Sequence, residues 1–369
     1  MKTIGISSPA FVFSPGNWTG DDGRVGDKYR QSWNSGAYFR VTWSTTSASP
    51  VARLLLDTTQ YAGAVSEIPQ LTYCIDGRWH ADIVCDRDIE IGELTGPGSH
   101  QLAVYFQNSE QANRWGTSDQ SGHCVLRVTG LAVDDDGEPV AGKRGDKWAL
   151  MVGDSITEGC GTTGNLDVYS YLVGQSLRMQ GYEYCVSACG YSGWLQYGDR
   201  PEDVLPYYFV SGSSDGVGGV YDPAKSRWNK IDGAHSLLDS TGRLSGYGGT
   251  GQEPSLITIN FGTNDFLWGS DMGDMEASIT QSLAALRGAA PSAKIFVIIP
   301  FGQYVADHLK TAVARYQATN PTDNAVAIID LGADTAAGLV DDGYYSGLHP
   351  NMRGHAVFAA QILGVILGG

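Results

Sequence analysis

Positive charge is what this chain has least of: 24 lysines and arginines stand against 40 aspartates and glutamates, for a formal net charge of −16. A surface of that sign repels nucleic acid and anionic membranes and favours neutral or cationic partners. No run approaches the roughly 18 apolar residues needed to span a bilayer. No phosphate loop, lysine-rich patch, dinucleotide fingerprint or internal repeat is present either. Residues 1–6 lack the sustained apolar core of a signal peptide, which fits a cytoplasmic protein or a secreted one whose leader has been removed. The six cysteines show no short C-x-x-C pairing of the zinc type. Cys74 and Cys85 are close in sequence, but Asp76-Gly77 reads as a two-residue hairpin turn that sets Cys74 opposite Trp79. Free buried thiols are therefore expected.

At 369 residues, 42% of them hydrophobic, the chain has material for two globular domains or one large one. Up to about residue 145 it reads as all-β. Short β-rich runs at 37–43, 52–56, 71–75, 80–85, 101–106 and 124–133 are separated by Gly, Asp, Asn and Ser clusters. That spacing predicts a β-sandwich of jelly-roll type. The acidic turn Asp134-Asp135-Asp136-Gly137 and the polar stretch 142–146 mark the linker, dividing the chain into 1–145 and 146–369. From Lys147 the period changes. Apolar strands at 148–152, 184–188, 256–260, 295–299 and 325–331 alternate with helical patterns near 168–179, 275–287, 305–319 and 352–367. Such alternation predicts an α/β domain, a parallel sheet with helices on both faces. Residues 211–251 hold ten glycines and little periodicity, so a cover over a site or a subunit contact is expected there, anchored by Trp228.

Four blocks carry chemistry. Gly153-Asp154-Ser155 follows the first apolar strand of the second half, where catalytic groups of open α/β sheets collect. Tyr191-Ser192-Gly193, Gly262-Thr263-Asn264-Asp265 and Leu348-His349-Pro350 each lie beside a predicted strand or helix. An alcohol is a weak nucleophile without a base, and the imidazole of His349 can take the Ser155 proton and return it to a leaving group. Gly193, through a closely approaching N–H, and Asn264, through its side-chain amide, fit the need for donors to a tetrahedral oxyanion. Gly190 is an alternative to Gly193 for that role. Asp154 and Asp265 read as braces for their loops, His355 as a residue of the closing helix, and Trp194 or Trp268 as a flat platform for a sugar ring.

Taken together the four blocks resemble the SGNH (GDSL-type) hydrolase superfamily over residues 147–367. The resemblance implies a flavodoxin-type three-layer α/β/α fold, with Ser155 as nucleophile, Gly193 and Asn264 as oxyanion donors and His349 as base. One position departs from the family pattern: Ser346 stands three residues before His349, where an aspartate is usual. A Ser155–His349 dyad, its ring held by a backbone carbonyl, is one reading. Asp341 or Asp342 folding back to complete a triad is the other.

A sandwich preceding such a domain, with this departure, resembles carbohydrate esterases of family 2. That implies hydrolysis of short-chain O-acyl esters, acetyl above all, on carbohydrate or another small neutral ester, through an acyl-serine and with no metal or organic cofactor. A lipid or aryl esterase, an acyltransferase and a catalytically inactive carbohydrate-binding protein are the alternatives. The sequence leaves self-association open.

Overall fold

The structure, a computed structural model, describes residues 1–21, 27–59, 68–107, 125–160, 162, 165–198, 207–209, 222–247, 251–332 and 348–368. Twelve strands among these build two antiparallel sheets. They are β1 (Lys2–Gly5), β2 (Phe11–Phe13), β3 (Thr19–Gly20), β4 (Arg30–Ser32), β5 (Tyr38–Thr45), β6 (Ala52–Leu56), β7 (Gln70–Ile75), β8 (Arg78–Val84), β9 (Asp88–Glu90), β10 (Gly98–Gln107), β11 (Leu126–Val133) and β12 (Glu138–Pro139). One sheet runs β3-β4-β11-β6-β9 with β1 on β11; the other runs β12-β5-β10-β7-β8 with β2 on β5. Alternate residues face inward, as the period of two requires. Thus Phe39, Val41 and Trp43 of β5 and Leu102 and Val104 of β10 pack against Leu54 and Leu56 of β6 and Val128 and Leu131 of β11. The expected β-sandwich is present. Asp76 and Gly77, both at positive φ, close the β7–β8 hairpin and pair Cys74 with Trp79. No two of the five cysteines among the described residues are joined in a disulfide, and Cys124 lies outside them.

Five parallel strands follow: β13 (Lys147–Gly153), β14 (Tyr182–Ala188), β15 (Leu256–Asn260), β16 (Lys294–Ile299) and β17 (Val326–Asp330), in the order β14-β13-β15-β16-β17. This is the flavodoxin-type order 2-1-3-4-5. The helices are α1 (Ser155–Glu158), α2 (Tyr169–Arg178), α3 (Thr263–Leu267), α4 (Met272–Ala289), α5 (Ala306–Thr319) and α6 (Met352–Gly368). Trp148, Leu150 and Val152 of β13 point to the face covered by α4 and α5, while Ala149 and Met151 point to the face covered by α2 and α6. No helix among the described residues is long and apolar enough to cross a membrane.

Between β14 and β15 the described residues form no helix. Within residues 222–247, Trp228, Ile231, Leu237 and Leu244 are buried in the same core cluster as Trp148 and α4. The segment also meets the sandwich: Gly16 N–H donates to Gly246 O at 2.8 Å, and Thr19 Oγ1 to Asp232 Oδ2 at 3.1 Å. Trp228 is thus buried as an anchor, and this part of the glycine-rich stretch covers the sheet face and braces the sandwich. Residues 199–206, 210–221 and 248–250 lie outside the described residues.

The sandwich covers the open edge of the parallel sheet. Strand β14 is an edge strand, and its outward backbone groups need partners. Asn17 Nδ2 donates to Val186 O at 2.9 Å, and Tyr184 N–H donates to Tyr38 Oη at 3.2 Å. Tyr38 Oη in turn donates to Glu183 Oε2 at 2.5 Å. Glu183 also pairs with Arg40 and accepts the Gly145 N–H at 3.0 Å.

Candidate active site

The nucleophile turn follows from the end of β13. A Cβ on Gly153 would lie 2.6 Å from Thr157 Cβ and 3.1 Å from Asn260 O, so only glycine lets the strand turn this sharply. Asp154 then caps α1, accepting the Ile156 N–H at 3.0 Å, which makes Ser155 the first helical residue. First-turn N–H groups have no partner within their helix. That of Ser155 has no acceptor among the described residues. Its Oγ, on a half-buried residue, is hydrogen-bonded to Nε2 of the buried His349 at 2.9 Å. Two residues 194 positions apart meet here because β13 and the turn before α6 end on the same side of the sheet. Ser346, Asp341, Asp342, Tyr344 and Tyr345 lie outside the described residues.

Two further loops carry the remaining motifs. After β14, Tyr191 adopts a positive φ of 60°, a conformation costly for a non-glycine residue. The two glycines of this loop are both engaged. Gly190 N–H donates to the buried carboxylate of Glu158 at 3.1 Å, and Gly193 N–H donates to Gln196 O at 3.1 Å. After β15, Gly262 at φ 129° turns the chain into α3. There Asn264 Nδ2 donates to Ser192 O at 2.9 Å. An amide nitrogen carries two hydrogens, and the second is used by no described residue. Asp265 accepts the N–H groups of Trp194 and Leu195, each at 2.8 Å. It braces the loop, as the sequence suggested.

Beneath the nucleophile turn lies a polar layer that motif reading did not find. Thr157 Oγ1 and Tyr169 Oη share a 2.7 Å hydrogen bond, and Asn260 Nδ2 donates to the same Tyr169 oxygen at 3.3 Å. Tyr169 N–H donates to Nδ1 of His355, which is fully buried on α6. Burial pushes the His355 pKa down to about 3, with His349 adding to the effect, so His355 is a neutral structural acceptor. Burial pushes Asp154 up to about 7, and the nearby Asp265 reinforces the shift against the Ile156 N–H. No sequence pattern links these groups; they are joined by sheet order alone.

The aromatic residues beside the motifs divide sharply. Trp194 is 0% exposed, stacked on Phe209 at 5.1 Å within the core, and cannot serve as a platform. Trp268 is 59% exposed and its ring lies 6.0 Å from that of Tyr191. Phe266, exposed as well, stacks on Tyr304 at 4.9 Å.

Chemically, the arrangement pairs a hydroxyl with an imidazole at hydrogen-bonding distance, and Asn264 and Asp265 tie the loop after β15 to the loop after β14. Comparison with curated proteins gives no match. Among solved structures, an acetyl xylan esterase from Butyrivibrio proteoclasticus superposes with a TM-score of 0.70 at 16% identity, over 100% of this chain and 98% of that one. A family two carbohydrate esterase from Clostridium thermocellum, in complex with cellohexaose, gives 0.63 at 15% identity over 97% and 99%. A salicylyl-acyltransferase from a tetracycline biosynthetic pathway gives 0.61 at 13% identity over 100% and 98%. At such identities these likenesses establish the two-part fold, a sandwich followed by a parallel α/β sheet. The family model of the GDSL-like lipase/acylhydrolase family matches residues 151–357, which span β13 to α6 and take in Ser155, Asn264 and His349; the chain therefore belongs to that family.

Proposed function

We propose that this protein is a serine esterase that hydrolyses short-chain O-acyl esters, acetyl in particular, on carbohydrate. The observation that carries the reading is the 2.9 Å hydrogen bond between Ser155 Oγ and His349 Nε2. In the reaction His349 takes the Ser155 proton as Oγ attacks the ester carbonyl, then gives it to the departing alcohol, leaving an acyl-serine. Water activated by the same imidazole releases the acid. The negative oxygen of each tetrahedral intermediate is held by the Ser155 N–H and the unused N–H of Asn264. Gly193 lines the same hole, and its N–H joins only by exchanging its bond to Gln196. The chain divides functionally into the sandwich, 1–145, and the hydrolase domain, 146–369.

A carbohydrate substrate is supported by the exposed Trp268 beside Tyr191, since sugar C–H faces pack on flat aromatic rings. It also fits the net charge of −16, which favours a neutral partner. The Clostridium thermocellum esterase that shares the fold was solved with cellohexaose. The likeness to a salicylyl-acyltransferase supports a second reading, in which an alcohol replaces water at the acyl-serine.

Acetate release from acetylated xylan and from 4-nitrophenyl acetate, with and without an alcohol acceptor, separates these. Hydrolysis is expected on both, lost in a folded Ser155→Ala variant. Ester product in place of free acid supports the transferase, and glycan binding with no turnover rejects both. For the group that orients His349, the dyad is preferred. Alanine at Ser346, Asp341 or Asp342 should each lower kcat less than about tenfold, whereas loss of a true triad carboxylate costs about 10⁴-fold.

A further inference from the structure

We propose that Asp265 is the positioning residue of the oxyanion pocket, and that residue 193 is glycine to make room for it. This rests on the proposed Ser155–His349 chemistry. The carboxylate is fully buried and sits between two loops about 70 residues apart in sequence. Its Oδ2 accepts from Trp194 N–H and its Oδ1 from Leu195 N–H, both at 2.8 Å, and Ser270 Oγ donates to Oδ1 at 3.2 Å. The preceding side chain, Asn264, reaches the same loop through Ser192 O. Residues 192, 194 and 195 are thus all fastened to 264 and 265. Gly193 is the gap in that series. A Cβ there would stand 2.7 Å from Asp265 Cγ and 2.8 Å from Oδ1, inside the carboxylate's own space.

The glycine is therefore explained by the approach of Asp265, while its N–H is already given to Gln196. Hydrogen bonds from N–H groups to a carboxylate are about twice as strong as neutral ones. Three side-chain bonds across one seam hold Asn264 and the strained Tyr191 turn in a single arrangement. Fixed donors are what an oxyanion hole requires, because misplacing a group by about 1 Å can cost about 10²-fold in rate. Asp265 touches none of the reacting atoms; it acts through Asn264 and the loop.

The test is a double-mutant cycle on 4-nitrophenyl acetate hydrolysis, using the full chain, with Gly193→Ala, Asp265→Ala and both together. Each single variant should lower kcat by about 10–100-fold while KM stays within about threefold, as for a loss felt in the transition state. Removing the carboxylate removes the clash, so the double variant should be no slower than Asp265→Ala alone. Asp265→Asn keeps the volume but turns an NH₂ toward a backbone N–H. It should still unfold in one cooperative thermal transition, at a lower Tm than the parent, with kcat lowered about as far as in Asp265→Ala.

Additive losses, Asp265→Ala activity within about twofold of the parent, or a change confined to KM would each overturn the proposal. So would failure of Asp265→Asn to fold, which would assign the residue to the fold as a whole. Ser155→Ala is run alongside. If it stays active, the underlying chemistry is wrong whatever the cycle shows; if it is dead and the cycle is additive, only the role of Asp265 fails.

Discussion

Asp154 caps the nucleophile helix with a carboxyl that resists ionising, and this gives the fold a definite pH dependence. Its pKa is about 7 in the folded chain against 3.8 when exposed, so the folded state holds the proton more tightly. The stability this brings is complete below about pH 4 and is lost as pH rises through 7. Asp154→Asn keeps an acceptor for the Ile156 N–H and removes the titration. It should therefore resist urea better than the parent at pH 8, with the gap closing toward pH 4. His355 has the opposite sign. Its pKa of about 3 lies below the ordinary 6.5, so its contribution is complete above about pH 6.5 and is lost as pH falls through 3. The two slopes oppose each other between about pH 4 and 6.5. Urea midpoints of Asp154→Asn should accordingly climb across that interval, and a flat profile would count against the His355 assignment.

Among the elements, α3 has the most to do for its five residues. Its inner side supplies Asn264 and Asp265 to the seam, and its outer end leaves Phe266, Leu267 and Trp268 exposed beside Tyr191. A large exposed aromatic contributes about 1.5–3 kcal/mol when a ligand buries it, and about 1.4 kcal/mol is a tenfold change in affinity. Trp268→Ala should raise KM for acetylated xylan by about tenfold or more while leaving kcat on 4-nitrophenyl acetate within about twofold. Parallel kinetics on the two substrates give the comparison, and an equal effect on both would remove Trp268 from the sugar platform. The long regular elements needed no structure to be seen. The predicted helix at 168–179 is observed at Tyr169–Arg178, and the strands at 52–56 and 256–260 are observed at Ala52–Leu56 and Leu256–Asn260. Strands such as Thr19–Gly20 and Asp88–Glu90 escaped, since two or three residues carry no periodicity.

Across the whole molecule, the sandwich acts as the missing neighbour of β14. Tyr38 and Tyr105 share a core cluster with Tyr184 and Val186, and beside them the buried Glu183 pairs with the largely buried Arg40. Breaking a buried pair from one side costs about 3–5 kcal/mol, since the other charge stays buried. Arg40→Ala should lose stability of that order in chemical denaturation, and Arg40→Met with Glu183→Gln should recover most of it. Residues 147–369 expressed alone should be insoluble, with β14 uncovered. A soluble, fully active fragment would show that the sandwich is dispensable to the hydrolase fold.

The sequence by itself determined the long elements, the two-part plan and the four blocks around Ser155, Gly193, Asn264 and His349, because strand and helix periods and turn chemistry are local properties of the chain. It located the strand ends, and in a parallel sheet those ends are where a site must form. Tertiary structure alone decided how the blocks connect. Trp194 and Trp268 look alike beside their motifs, yet one is core and the other surface. Gly193 reads as a donor, yet its N–H belongs to Gln196 and its missing side chain to Asp265. The Asp265 seam, the Tyr169–His355 contact and the cover on β14 join residues 70 to 186 positions apart. Such contacts depend on strand order and on which face each residue meets, and no local pattern encodes either.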